Sequence, residues 1–271
     1  MIDTHCHLDT SAFDADREAV VARAVAAGVG GILVPAIRPR TWPALIAMAE
    51  TLARPPIRIA LGIHPQVVPE LEPGEVETDI DALAEQIVRA MNDAGATAVA
   101  VGECGLDGPT GDLERQESIF RAHIRAARAV AKPLVVHVLR AHDLAPRVLR
   151  EEKADEVGGV MHSYSGGEQL VRIYRDLGMY FSFAGPVTYP NARKPLEALR
   201  AIPDDRLLAE TDAPDQSPFT HRGERSEPAF VADVITGLAA ARGAAATDIA
   251  ALTTRNARTL FRDFSVDSGN Q

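Results

Sequence analysis

Cysteine is scarce: the 271 residues contain two, Cys6 and Cys104, too few and too far apart for the disulfide framework of a small secreted domain. Both are read as reduced thiols, and a cytoplasmic location is the expectation that follows. Basic residues are outnumbered, 28 Lys and Arg against 38 Asp and Glu, for a formal net charge of −10. That balance argues against a broad phosphate-tracking surface, because non-specific nucleic-acid affinity comes from clustered Lys and Arg. Long apolar runs are missing as well. The stretch from Met1 to His7 has no basic region followed by an apolar segment, so neither a secretory signal nor a membrane span is expected there. Low-complexity tracts, internal repeats and linkers long enough to separate two units are also absent. One domain over residues 1–264 is therefore expected, with a frayed tail at 265–271.

What is present can bury a core: 46% of residues are hydrophobic and 24% charged, which excludes disorder over most of the chain. Short apolar runs alternate with longer Ala-rich stretches whose charges recur at helical spacing, the pattern of repeated βα units. The runs fall at residues 1–3, 31–37, 57–63, 96–101, 134–138, 159–161, 180–183 and 207–209. Each is nearly continuous in apolar residues, as in parallel strands buried on both faces. Helices are predicted at 14–27, 41–52, 79–92, 113–130, 141–151, 168–177 and 228–241, with an extra one at 247–264. Gly28, Gly95, Gly178 and Gly243 stand where helices should stop. Eight strands imply closure, so the expected fold is an α/β protein of the (β/α)8 TIM-barrel type.

The chemistry-bearing residues stand at the ends of these runs. His5-Cys6-His7 follows the first, where alternate residues point the same way and can present two imidazoles to one ion. His64 follows the third run, Glu103 the fourth, His137 ends the fifth, His162 follows the sixth and Asp212 the eighth. Parallel barrel strands converge at their C-terminal ends, so side chains distant in sequence meet around one mouth. Taken singly, His137 reads as a core histidine and Asp212 as a turn cap. Taken together, such readings leave several polar groups in apolar surroundings, each costing about 1–3 kcal/mol unless satisfied. One or two divalent cations satisfy them at once. Imidazole and carboxylate donors without converging thiolates suit Mg, Mn, Zn, Ni or Fe rather than an iron–sulfur cluster. The two oxygens of Glu103 can bridge a metal pair, which is typically about 3.5–4 Å apart. Cys6 and Cys104 are read as packing thiols facing away.

Several strings together resemble the TatD family of metal-dependent hydrolases, relatives of the amidohydrolase group. They are Ile2-Asp3-Thr4-His5-Cys6-His7-Leu8-Asp9, Gly62-Ile63-His64-Pro65, Gly102-Glu103-Cys104-Gly105-Leu106-Asp107, Val136-His137, Met161-His162-Ser163-Tyr164-Ser165-Gly166, Glu210-Thr211-Asp212-Ala213-Pro214, Arg222-Gly223-Glu224-Arg225-Ser226-Glu227-Pro228 and Asn256-Ala257-Arg258-Thr259-Leu260-Phe261. The resemblance implies that His5, His7, Glu103 and Asp212 hold one metal, that Glu103, His137 and His162 hold a second, and that His64 lines the substrate side. It also implies phosphodiester hydrolysis, commonly exonucleolytic on DNA. Two positions depart from the family's pattern: Leu139 stands where Arg is frequent, with Arg140 one residue later, and Ser226 replaces Asn before Glu-Pro.

The expected mechanism is attack by a metal-activated water, with Asp212 orienting it and accepting its proton while His64 contacts a phosphoryl oxygen or the leaving group. Much of the positive charge meeting a phosphodiester would come from the cations. Asp107 and Glu210 are candidates for orienting the ligands, or else for ordinary loop salt bridges. Two other readings compete. One is hydrolysis of a small-molecule ester, lactone or amide on the same barrel, and the other is a non-catalytic, metal-containing binding subunit.

Overall fold

The computed structural model describes residues 1–52 and 54–264; the tail expected at 265–271 lies outside the described residues. Among them, seven parallel strands form one sheet in sequence order. They are β1 (Ile32–Pro35), β2 (Ile57–Leu61), β3 (Ala98–Asp107), β4 (Leu134–Leu139), β5 (Gly159–Met161), β6 (Met179–Phe183) and β7 (Leu207–Ala209). Helices alternate with them: α1 (Arg17–Ala26), α2 (Trp42–Thr51), α3 (Ile80–Ala94), α4 (Leu113–Val130), α5 (Ala145–Glu151), α6 (Glu168–Asp176), α7 (Arg193–Ala201), α8 (Val231–Arg242) and α9 (Ala246–Phe261). The sheet curls into the expected TIM-type barrel. Helix ends follow elementary rules: Asp79 accepts the Asp81 and Ala82 N–H groups that open α3, and Gly95 ends it at φ 59°. The unexpected helix is α7, and the segment expected at 141–151 becomes helical only from Ala145.

Strand alternation sorts the core into two layers. Leu33, Val135, Val160, Tyr180 and Leu208 face the barrel interior and form one cluster with Leu260 and Phe261 of α9. Their neighbours Ile32, Val34, Leu134 and Val136 face outward and belong to the outer cluster that the surrounding helices complete, α4 with the apolar stripe of Ile119, Phe120 and Ile124. The extra helix therefore plugs the end of the barrel at which the strands begin.

The first expected strand is a correction. Residues 3–7 make isolated pairings, because the segment divides its hydrogen bonds between two partners. Toward β1, the Asp3 N–H donates to Gly31 O, Leu33 N–H to Asp3 O, and Cys6 N–H to Leu33 O. Toward β7 and the loop after it, Thr4 N–H donates to Ala209 O, Asp212 N–H to His5 O, and His7 N–H to Ala213 O. The buried Asp3 carboxyl adds a clasp, accepting from Thr211 N–H at 2.9 Å and Thr211 Oγ1 at 2.6 Å. This seam fills the gap between β1 and β7.

A second correction concerns β3, which starts two residues later than expected and continues to Asp107, so Glu103 lies within the strand. Between Val101 and Cys104 the register against β4 slips by one residue, Val101 opposing Leu134 and Cys104 opposing Val136. A bulge of this kind bends a strand and re-aims a side chain. Glycine makes it fit: a Cβ on Gly62 would lie 2.5 Å from Gly102 Cα, and one on Gly102 would lie 2.5 Å from Val135 O.

One histidine is structural. His123 of α4 is fully buried, and its Nε2 accepts the Ile63 N–H at 2.9 Å while Nδ1 meets Ile119 O at 2.7 Å. It is therefore neutral, with Nδ1–H donating, and burial pushes its pKa down to about 4. An unfolded histidine titrates near 6.5, so this group's contribution is present above about pH 6.5 and lost as pH falls toward 4. The loss should approach about 3 kcal/mol. Urea denaturation of wild type and H123Q between these pH values should show the component in wild type alone; equal pH slopes would refute the assignment.

Candidate metal centre

The strand positions two residues beyond the inner apolar layer carry polar groups. Val135 is followed by His137, Val160 by His162, Tyr180 by Ser182 and Leu208 by Glu210, so the period that fills the barrel also aims these side chains inward at its C-terminal end. His5 and His7 arrive on the closing seam and Glu103 on the bulge. His64 follows β2, its N–H donating to Ile37 O. Asp212 lies two residues past Glu210 in a left-handed conformation, φ 53°.

All seven residues singled out in the sequence meet around Glu103, which is fully buried. Its Oε1 lies 2.8 Å from His162 Nε2, 2.9 Å from His64 Nε2 and 3.2 Å from His137 Nδ1. Its Oε2 lies 3.1 Å from His5 Nε2 and 3.4 Å from His7 Nε2. Asp212 Oδ1 is 3.5 and 3.8 Å from the same two nitrogens. The donors thus form two groups on either side of one carboxylate.

A surrounding set of contacts fixes ring orientation. Asp107 Oδ2 stands 3.1 Å from His137 Nε2, and the same carboxylate accepts from Gln66 Nε2, Thr110 N–H and Thr110 Oγ1. With Nε2 committed to Asp107, His137 directs Nδ1 to the centre. Glu210 lies 3.5 Å from His162 Nδ1 and accepts from Ser163 N–H and Ser182 Oγ. Among the described residues neither acid pairs with Lys or Arg, so they do not form the loop salt bridges that were the alternative. Gln216 holds Asp212 Oδ2 and in turn accepts from Ser163 Oγ at 2.8 Å. His64 differs from the other imidazoles: its Nδ1 accepts the Gln66 N–H at 3.1 Å, so the neutral ring carries its proton on Nε2 and presents a donor. Gln66, Ser163, Ser182 and Gln216 were not anticipated. Gln66 and Gln216 stand just past two of the motifs and Ser163 within one, whereas Ser182 is signalled only as a polar residue in the seventh apolar run.

Electrostatics follow this geometry. Burial pushes Glu103 upward, but His64, His162, His5 and His137 hold it well below the usual carboxylate range. Burial pushes His7, His137 and His162 downward; Glu103 with Asp212 at His7, Asp107 with Glu103 at His137, and Glu103 with Glu210 at His162 override it and raise all three, His7 to about 9. Burial lowers His64, with Glu103 opposing only in part. Asp107 and Glu210 are both lowered against burial, chiefly by His137 and His162 respectively.

Both Glu103 oxygens are buried without a hydrogen-bond partner, as are His5 Nδ1, His7 Nδ1 and His162 Nδ1. Among the described residues, His5, His7 and Glu103 bring donor atoms together closely enough for one ion, as do His64, Glu103 and His137, and His5, His162 and Glu210. The residues therefore fit a divalent cation, with His64 the poorest donor because its Nε2 carries a proton. Cys6 and Cys104 are buried among apolar side chains, as expected.

The centre floors a cavity of about 650 Å³. Leu139 ends β4 and lines it, whereas Arg140 has left the strand at φ 51° and is exposed. Ser226 is buried beside the mouth, its N–H donating to Pro214 O.

A closed parallel barrel with buried imidazole and carboxylate donors at its C-terminal mouth defines the class of metal-dependent hydrolases. Comparison with known proteins agrees. Residues 2–262 match the model of the family described as TatD related DNase, and the chain belongs to that family. It is 36% identical over 264 residues to the uncharacterized metal-dependent hydrolase YabD of Bacillus subtilis, covering 97% of this chain and 99% of that one. It is 33% identical over 271 residues to the 3′-5′ ssDNA/RNA exonuclease TatD of Salmonella typhimurium, covering 96% and 98%. The crystal structure of the TatD homologue YjjV from Escherichia coli superposes with a TM-score of 0.87 at 34% identity, covering 97% and 98%.

If Asp107 orients His137 toward a cation, Asp107→Asn should weaken metal binding by about 10–100-fold. Calorimetric titration of metal-stripped protein with Mn or Zn measures this, and unchanged affinity in a folded variant would remove Asp107 from the site.

Proposed function

We propose that this protein is a metal-dependent phosphodiesterase that shortens nucleic-acid strands from an end, with DNA as the substrate class. The observation that carries the reading is the placement of Asp212. Its Oδ1 faces the His5 and His7 nitrogens at 3.5 and 3.8 Å, its Oδ2 is held by Gln216, and it lines the cavity floored by Glu103. His5, His7 and Asp212 on one side of Glu103, and His137 and His162 on the other, are the residues that would hold one or two divalent cations.

A cation bound there supplies positive charge to the phosphoryl group and renders a water acidic enough to attack near neutral pH. Asp212 is the base: it orients the attacking water and accepts its proton. Gln216 keeps that carboxylate from rotating. His64, with its proton on Nε2, donates to a phosphoryl or leaving oxygen. Imidazole and carboxylate donors are compatible with Mg, Mn, Zn, Ni or Fe. The family match and the relative named as an exonuclease support phosphodiester chemistry at a strand end. The scarcity of cysteine supports a cytoplasmic setting.

The test is hydrolysis of single-stranded DNA labelled at the 3′ or the 5′ end, by metal-stripped protein resupplied with Mg, Mn or Zn. Stepwise, metal-dependent shortening is expected, with kcat reduced about 10²–10⁴-fold in Asp212→Ala. Tight metal binding without cleavage by any loaded form would transfer the reading to a small-molecule ester, lactone or amide.

A further inference from the structure

We propose that the apolar wall of the mouth between β4 and α7 is a subsite for the terminal nucleoside, so that the enzyme recognises one phosphodiester and one flat, apolar-faced group rather than a run of phosphates. The inference rests on the phosphodiesterase reading above and specifies its substrate.

Leu139 at the end of β4, Phe183 at the end of β6, Pro186 and Val187 just beyond it, and Pro195 of α7 all line the cavity beside His137 and His162. Ile37 and Val67 line it from the loops that follow β1 and β2. Among the described residues, no Lys or Arg is part of this lining, which instead includes the exposed Asp215. A strand entering the mouth therefore meets positive charge at the metal centre alone, and elsewhere the apolar wall or the uncharged hydroxyls and amides of Thr10, Ser11, Ser163, Ser165, Gln66 and Gln216. The scissile phosphate can be neutralised there; a second phosphate inside the mouth would meet no counter-charge, only Leu139 and the prolines, uncharged hydroxyls and amides, or the Asp215 carboxylate. A nucleobase suits the same wall, because its faces are apolar and stack on such surfaces without sequence preference. The cavity, about 650 Å³, is of the size that encloses a small ligand. Arg140 and Lys194, next in sequence to Leu139 and Pro195, are exposed and outside the lining.

The experiment compares the dinucleoside monophosphate TpT with a thymidine oligonucleotide of about twenty residues, using metal-loaded enzyme between about 50 and 200 mM salt. Each phosphate neutralised by protein on a single strand contributes about −0.7 to the slope of log affinity against log salt. For both substrates a slope of log kcat/KM no steeper than about −0.7 is expected, with kcat/KM values per strand end within about threefold. Leu139→Arg should raise KM for TpT while steepening the oligonucleotide slope by about 0.7, with metal content and circular dichroism confirming an intact barrel. Arg140→Ala and Lys194→Ala should leave both substrates unchanged. A slope several times steeper, a tenfold or greater preference for the oligonucleotide, or its loss in the Arg140 and Lys194 variants would overturn the subsite and leave the phosphodiesterase reading standing. Failure to turn over either substrate with any metal would overturn that reading, and the subsite with it.

Discussion

A carboxylate sealed from solvent governs the top of this barrel. An ion buried in a medium of low polarity loses several kcal/mol of hydration even after relaxation, and only close opposite charge or good donors restore it. Glu103 is such an ion, and five imidazoles, from His5, His7, His64, His137 and His162, stand within 3.4 Å of its two oxygens. Those rings come from the seam, from the ends of β4 and β5 and from the turn after β2, so the carboxylate can be satisfied only if the barrel closes correctly. The bulge in β3 and the glycines at 62 and 102 follow from the same demand. They let two strands approach closely enough for Glu103 to reach the axis.

Around this ion the structure is arranged in levels along the strands. The second residue of β1, β4, β5, β6 and β7 fills the interior with apolar bulk, and on four of them the residue two positions further is His137, His162, Ser182 or Glu210. One alternation thus supplies both a core and a polar floor above it, with no special backbone on those strands. The next level outward belongs to residues that choose tautomers and lock rotamers. Gln66 does both: its N–H fixes which nitrogen of His64 is protonated, and its amide braces the Asp107 carboxylate that orients His137.

Much of this was legible in the sequence. The barrel and the gathering of His5, His7, His64, Glu103, His137, His162 and Asp212 follow from apolar runs ending in ligand-type residues, and the extra helix was legible at 247–264, though not that it plugs the barrel. What escaped had physical causes. Residues 1–3 read as the first strand because they open the chain's alternation of apolar runs and helices, whereas the segment from Asp3 to His7 shares its hydrogen bonds between two neighbours and forms only isolated pairs. The continuation of β3 to Asp107 was hidden by its glycines, which normally interrupt strands but here admit the neighbouring backbone. Helix α7 carries Pro195 and several charged residues in a short span, which masks its periodicity. Gln66 and Gln216 act through a pair of hydrogen bonds each, and no pattern of spacing announces such contacts in advance.

The seam between the two ends of the barrel also bears on how the molecule comes into being. Asp3 and Thr211, which clasp it, are 208 residues apart in the chain, and His5 and His7 meet Asp212 only across it. A chain still emerging from the ribosome can assemble His64, Glu103, His137 and His162 from consecutive units, but it has not yet made the Asp212 that faces its first two histidines. The complete donor set is thus a late product of folding, and its formation reports that the ring of strands has been completed.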